Sequence, residues 1–267
     1  MGRKYLIPDS ESRPSHTKLL QELRGRQCLD TDGHVGIGNV LMNFRMIMAA
    51  TPRFGLFVDG NPAQVQLFDK CISQLAEPRS KSKDHFLSKL EKTYVRGFRY
   101  APDEDYLRYF RNEIADAFAD DAGYQHLRSL ARSGDLAALP LDLFDAKRVS
   151  SVAAHLASAG RTVGTFYLTN LTWFLCREED FYRREQTDKG IEHFWDNIKT
   201  LCNGDKTLIC DAQHEQREIV YEHYNTGFHR EDVNHYVASG TWQERSARHM
   251  ARRTEFTVKG CSAYAEP

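Results

Sequence analysis

One stretch, Val35 to Asn61 (VGIGNVLMNFRMIMAATPRFGLFVDGN), constrains this chain more than any other. It reads as a glycine turn, a helix, a strand and an acid. Gly36 and Gly38 precede an apolar segment with helical spacing: Val40, Leu41, Phe44, Ile47 and Met48. Glycine in such a turn admits positive φ and lets a ligand approach the backbone. Pro52 stops the helix, and Phe54 to Val58 is a short run of strand formers closed by Asp59. The interval from Gly36 to Asp59 is close to the roughly 20 residues that separate the glycine turn from the ribose-binding acid in open α/β sheets. Asp59 is therefore a candidate to accept hydrogen bonds from ribose hydroxyls.

A dinucleotide fingerprint, G-x-G-x-x-G, would place a third glycine where this chain has Leu41. The turn is then poorly suited to close approach by a pyrophosphate. S-adenosylmethionine carries no phosphate and needs only room for its methionine end and an acceptor for its ribose. The stretch therefore leans toward that cofactor, with Gly36, Gly38 and Asp59 as binding candidates.

Composition narrows the class. The 267 residues, 41% hydrophobic and 27% charged, suffice for a folded α/β domain with insertions, and we read residues 1–267 as one domain. A formal net charge of −1 offers no basic excess for a phosphate backbone, so a small-molecule substrate is expected rather than nucleic acid. The six cysteines are scattered without a C-x-x-C pair, and no apolar leader precedes the first charges, which suits reduced thiols in the cytoplasm. No run approaches ~18 apolar residues, so no membrane span is expected.

In chain order, residues 1–30 are polar, with a helical patch around Leu19, Leu20 and Leu23, and read as an N-terminal cap. Pro62 opens a second helix that runs to about Ala76. Residues 77–132 read as a charge-rich helical insertion with Tyr106, Tyr109, Phe110 and Ile114 on one face, placed to shape a pocket or to pack as a stripe. Leu136 to Asp145 reads as a strand shortened by Pro140, with Asp142 near its end as an adenine-facing candidate. A helix from Arg148 ends at Gly160, and the strand Thr162 to Leu168 delivers Thr169 and Asn170 to its end. IEHFWDNIKTL is a further helix and TLICDA a further strand. EIVYEHY, NHYVAS and EFTVKGCSAY read as short strands closing the sheet edge around the basic stretch SARHMARR. The first strand shows weakly: QCLDTDGHVGIG is interrupted by Asp30, Asp32 and Gly33, and only the residues just before Gly36 are assigned to it.

This alternation resembles the class I S-adenosylmethionine-dependent methyltransferase fold, a Rossmann-like sheet with helices on both faces. Particular words resemble a little-characterised bacterial methyltransferase-like family: Gly36-Ile37-Gly38 with Asn43-Phe44, Pro52 and Phe57-Val58-Asp59, then Tyr167-Leu168-Thr169-Asn170 with Phe174-Leu175, then the stretch around Asp142. The chain departs from that pattern at Gly60-Asn61-Pro62, in place of arginines, and at Thr169, in place of serine. The resemblance implies a methyltransferase acting on a small molecule, with Asn43 added to the cofactor-binding candidates. Tyr167, whose ring would face the sulfonium, and Asn170, which would orient the acceptor, are the catalytic candidates. Attack on the aminobutyrate arm of the cofactor, releasing methylthioadenosine, and a non-catalytic binding role on the same fold are alternatives. Histidines and acids gather between His214 and His235, but no spacing there matches a metal-ligand set, so no metal is expected. No G-x-S-x-G elbow supports a serine hydrolase.

Overall fold

The computed structural model describes residues 20–21, 23–24, 32–77, 82–97, 104–169, 188–202, 207–213 and 227–232. Asn170, most of residues 1–30 and the three expected C-terminal strands lie outside them. Within them helices separate the first five strands, and four helices follow one another between Asp59 and Leu136. The strands are β1 (Asp32–Gly36), β2 (Gly55–Asp59), β3 (Leu136–Pro140), β4 (Thr162–Thr169), β5 (Leu208–Gln213) and β6 (Gly227–Asp232). The helices are α1 (Val40–Ala50), α2 (Pro62–Ala76), α3 (Lys83–Gly97), α4 (Glu104–Ala117), α5 (Asp121–Ser133), α6 (Ala146–Ser158) and α7 (Asp188–Leu201).

These strands form one sheet in the order β3-β2-β1-β4-β5-β6, parallel from β3 to β5, with β6 antiparallel at the edge. The chain works outward from β1 through β2 to β3, then returns to the middle and works outward again from β4. That reversal puts a switch point between β1 and β4, where the loops leaving neighbouring strands part in opposite directions and open a crevice. The parallel arrangement brings Gly36, Asp59, Pro140 and Thr169 to the same end of the sheet.

Helices cover both faces. One face is filled by α6 and α7, which pack Val149, Leu156, Phe194, Trp195 and Ile198 against Val35, Val58, Val163, Phe166 and Leu168. The other carries α1 and α2 and, over them, α3, α4 and α5. Phe57 of β2 stacks on Phe68 of α2 at 4.4 Å, and Phe44 of α1 meets Phe118, which in turn meets Phe86 and Tyr124. Phe110 and Ile114 of the expected apolar stripe are core, buried in the same cluster as Phe57. Helix α1 is consequently buried on every side except at Arg45, whose guanidinium reaches Glu113 of α4 at 3.3 Å.

Helix limits follow local chemistry. Asn39 caps α1 by accepting from Met42 N–H at 3.0 Å, and Asn61 caps α2 by accepting from Ala63 N–H, with Pro62 in the first turn. Gly160 takes φ 64 just beyond α6, as expected of a C′ glycine. Helix α1 ends differently, because Thr51 itself adopts φ 45 and donates its N–H to Ile47 O at 2.9 Å. A β-branched residue is strained in that left-handed conformation. Thr51→Gly should therefore stabilise the fold by about 0.5–1 kcal/mol in chemical denaturation, the relief outweighing the added freedom of the unfolded chain. A lower midpoint would mean that the Thr51 side chain contributes more than its backbone strain removes.

A candidate binding site at the glycine turn

β1 is the central strand, yet it carries a histidine and two glycines where an apolar run is usual. His34 is fully buried. Its Nδ1 lies 2.9 Å from Thr165 Oγ1 on β4 and its Nε2 lies 2.8 Å from Asn43 Oδ1 on α1. The Asn43 amide nitrogen donates to Ile37 O at 3.1 Å and to Asn39 O at 2.7 Å. With that nitrogen committed as donor, Asn43 Oδ1 is the acceptor, so the network assigns the ring proton to Nε2 and leaves Nδ1 to accept from the Thr165 hydroxyl. Burial lowers the His34 pKa to about 4, against the Asn43 hydrogen bond, which raises it; the ring is neutral.

The two glycines of the turn serve different ends. Gly38 has φ 71, the left-handed conformation anticipated for a tight turn. Gly36 leaves room for the protein itself: a Cβ there would overlap Asn43 Oδ1 and crowd His34 Nε2. The space at Gly36 is filled by the His34–Asn43 hydrogen bond. Asn43, a candidate cofactor contact, is buried and holds both sides of the turn, Ile37 O and Asn39 O.

Asp59 stands across the turn at the end of β2. It accepts from Asn61 N–H at 2.8 Å and from Gly38 N–H, which joins the acid to the glycine turn as its position anticipates. Its surroundings still disfavour charge: burial raises its pKa to about 6, against the lowering by the two N–H donors. Beside it, Leu141 N donates to Asp59 O at 3.1 Å and fixes the loop after β3. Asp142 lies in that loop, beyond the strand, and is exposed; its Oδ1 accepts from Phe144 N–H at 3.0 Å.

Gln64, which the sequence reading passed over, completes the turn. It is 3% exposed, and its Nε2 donates to Gly38 O at 2.5 Å. Its Oε1 is buried and has no hydrogen-bond partner. Asp59 and Gln64 thus grip the same peptide segment from opposite sides, one through Gly38 N–H and the other through Gly38 O. One signal in the sequence pointed to it. Asn61-Pro62-Ala63-Gln64 has the spacing of a capping box, in which the last residue reaches back to the N–H of the first. Here Asp59 already takes the Asn61 N–H, and the Gln64 amide turns to Gly38 instead.

Of the candidates in and after β4, Tyr167 is the one among the described residues. Tyr167 is fully buried, packed with Met42, Met46 and Leu23, and its carbonyl accepts from Ile37 N–H at 3.0 Å. It supports the turn from below. Leu23 belongs to this cluster and Leu20 packs against it. Among the described residues no cluster of histidine, cysteine and carboxylate side chains could hold a metal, and no helix is long and apolar enough to cross a membrane.

A family model described as a domain of unknown function, DUF7790, matches residues 104–263, more than half of the chain. The chain belongs to that family. The DUF7790 match begins at α4 and runs through β3 to β6, so the glycine turn, Asp59 and Gln64 precede it. No curated protein matches the chain.

Two outcomes follow from this geometry. Gly36→Ala should destabilise the fold by about 2–4 kcal/mol, because the new methyl displaces a buried hydrogen-bonded side chain. In an Asn43→Ala background the same substitution should cost no more than about 1 kcal/mol, and urea denaturation of the four proteins reads that coupling. Asp59 has a raised folded-state pKa, so its ionised form opposes folding at neutral pH and the opposition fades as pH falls from about 6 through the ordinary carboxylate value. Asp59→Asn should accordingly be more stable than the parent by about 1–2 kcal/mol at pH 7.5, and equal to it near pH 3.5. Melting curves across that range check both ends.

Proposed function

We propose that the chain is an S-adenosylmethionine-dependent transferase, a methyltransferase of Rossmann-like fold acting on a small molecule. The observation that carries this reading is Asp59: an acid at the end of β2, bonded to the glycine turn beside the switch point of the sheet and held with a raised pKa. A group kept ionised at neutral pH against its surroundings fits a ligand-binding role better than a purely structural one. Two N–H groups orient the carboxylate, and a ribose diol would supply the further donors that favour its charge. The strand order, outward from a central β1–β4 pair with an antiparallel edge, supports the same reading.

The donor set suits this cofactor better than a dinucleotide. Leu41, at the place of a third glycine, is buried in the cluster of α1 and α2 and keeps the helix start closed to a pyrophosphate. Once bound, the cofactor supplies a sulfonium with an electrophilic methyl carbon. The protein's own share is binding and orientation: Asp59 holds the ribose, the Gly36–Asn39 turn carries the methionine end, and the Asp142 loop borders the adenine side. His34, neutral and fully engaged, contributes rigidity and no proton transfer. Asn170 keeps the proposed role of orienting the acceptor at the end of β4.

Isothermal titration with S-adenosylmethionine, S-adenosylhomocysteine and NAD tests the cofactor. Binding of the first two, with NAD much weaker, is the expected result, and tighter NAD binding sinks the reading. Asp59→Ala should weaken the cofactor roughly ten- to a hundredfold, the size of lost charge-assisted hydrogen bonds of about 1.5–3 kcal/mol. Chromatography of the nucleoside released in turnover identifies the carbon attacked: S-adenosylhomocysteine is expected, and methylthioadenosine alone would overturn the methyl-transfer assignment.

A further inference from the structure

We infer that Gln64 is a ribose-reading residue: its free Oε1 accepts a hydrogen bond from one hydroxyl of the bound nucleoside, beside the hydroxyl taken by Asp59. The inference rests on the cofactor reading above and adds to it a second, neutral arm. Three observations bring it forward. Gln64 is almost wholly buried, yet one of its two polar atoms has no partner. Buried acceptors are nearly always satisfied, so an orphan beside a candidate site marks the place of an absent donor. The amide cannot be turned around to cure the orphan, because its nitrogen is fixed by donation to Gly38 O. Finally, the Asp59 carboxylate reaches Gly38 from its N–H side, so the orphan acceptor and the acid are gathered around one residue.

That gathering selects the chemistry. Two acceptors, one anionic and one neutral, held about a single glycine call for a ligand with two neighbouring donors, and a vicinal diol has them. A phosphate offers no donor to either atom and would be repelled by Asp59. The neutral arm also bears on pH. When Asp59 is protonated, it can no longer accept from a hydroxyl with both oxygens, whereas Gln64 does not titrate, so part of the diol recognition persists below pH 6.

The test compares S-adenosylhomocysteine with its 2′-deoxy and 3′-deoxy forms, by calorimetric titration of the parent chain and of Gln64→Met, which keeps length and removes both polar atoms. In the parent, loss of one particular hydroxyl should weaken binding roughly three- to tenfold beyond what Asp59 alone explains. In Gln64→Met that hydroxyl should lose its effect, while the other hydroxyl, read by Asp59, keeps its own. Gln64→Leu, checked for an intact melting transition, repeats the comparison should the methionine variant fold poorly. If parent and variants discriminate the deoxy ligands equally, water serves Oε1 as well as the ribose does and the assignment falls. If no adenosyl ligand binds the parent, the cofactor reading falls first and carries this one with it; the two failures are therefore distinct.

Discussion

The hydrogen-bonded chain Thr165–His34–Asn43 is the interaction on which the rest of the site depends. It ties β4 to β1 and β1 to α1, and through the Asn43 amide it ties α1 back to both ends of the glycine turn. A polar network in the centre of a sheet is tolerable only if every member is satisfied, since a lone buried donor costs about 1–3 kcal/mol. Here the asparagine and the threonine give each ring nitrogen of His34 a partner. The result is a turn whose backbone is held from within, leaving its outer side for Asp59 and Gln64.

His34 and Asp59 also respond to acid in opposite senses. A buried histidine with a lowered pKa supports the fold above its ordinary value and withdraws that support as pH falls toward 4. An acid with a raised pKa does the reverse over nearly the same interval. The two slopes offset each other within one turn, so acid stability of this region depends on keeping both groups, and removal of either should expose the other.

Much of this was legible in the sequence because local chemistry and fold agreed. The run from Gly38 through Asp59 showed helix, stop, strand and acid in order, and the structure has the helix at Val40–Ala50, the strand at Gly55–Asp59, one residue later than the expected Phe54 to Val58, and the next helix at Pro62–Ala76. β1 was faint for a specific reason. Its side-chain space is filled from elsewhere: the Phe54 ring lies where a Cβ of Gly33 would be, and Asn43 lies where a Cβ of Gly36 would be. A pattern search sees two glycines and a histidine and cannot see the neighbours. β6 was missed because GFHRED has no apolar alternation; charged residues suit an edge strand, which needs protection from further pairing more than it needs a buried face. Gln64 is legible in the sequence only as a member of a capping-box spacing, and it is the competing claim of Asp59 on the Asn61 N–H that turns its amide to Gly38. Tyr167, given a chemical role by analogy, is buried with Leu23 and Met42, a neighbourhood its strand position alone does not reveal.

The His34–Thr165 contact spans 131 residues. Closing so long a segment is slow and entropically unfavourable compared with forming the neighbouring turn, helix and strand, which lie within one short stretch. The glycine turn can therefore take its approximate shape early in folding, from residues 36–64, but it acquires a floor only when β4 docks beside β1. Rigidity at the turn is in this sense a late and shared property. A disturbance far along the chain, anywhere that slows or loosens the docking of β4, reaches the turn directly through one threonine hydroxyl.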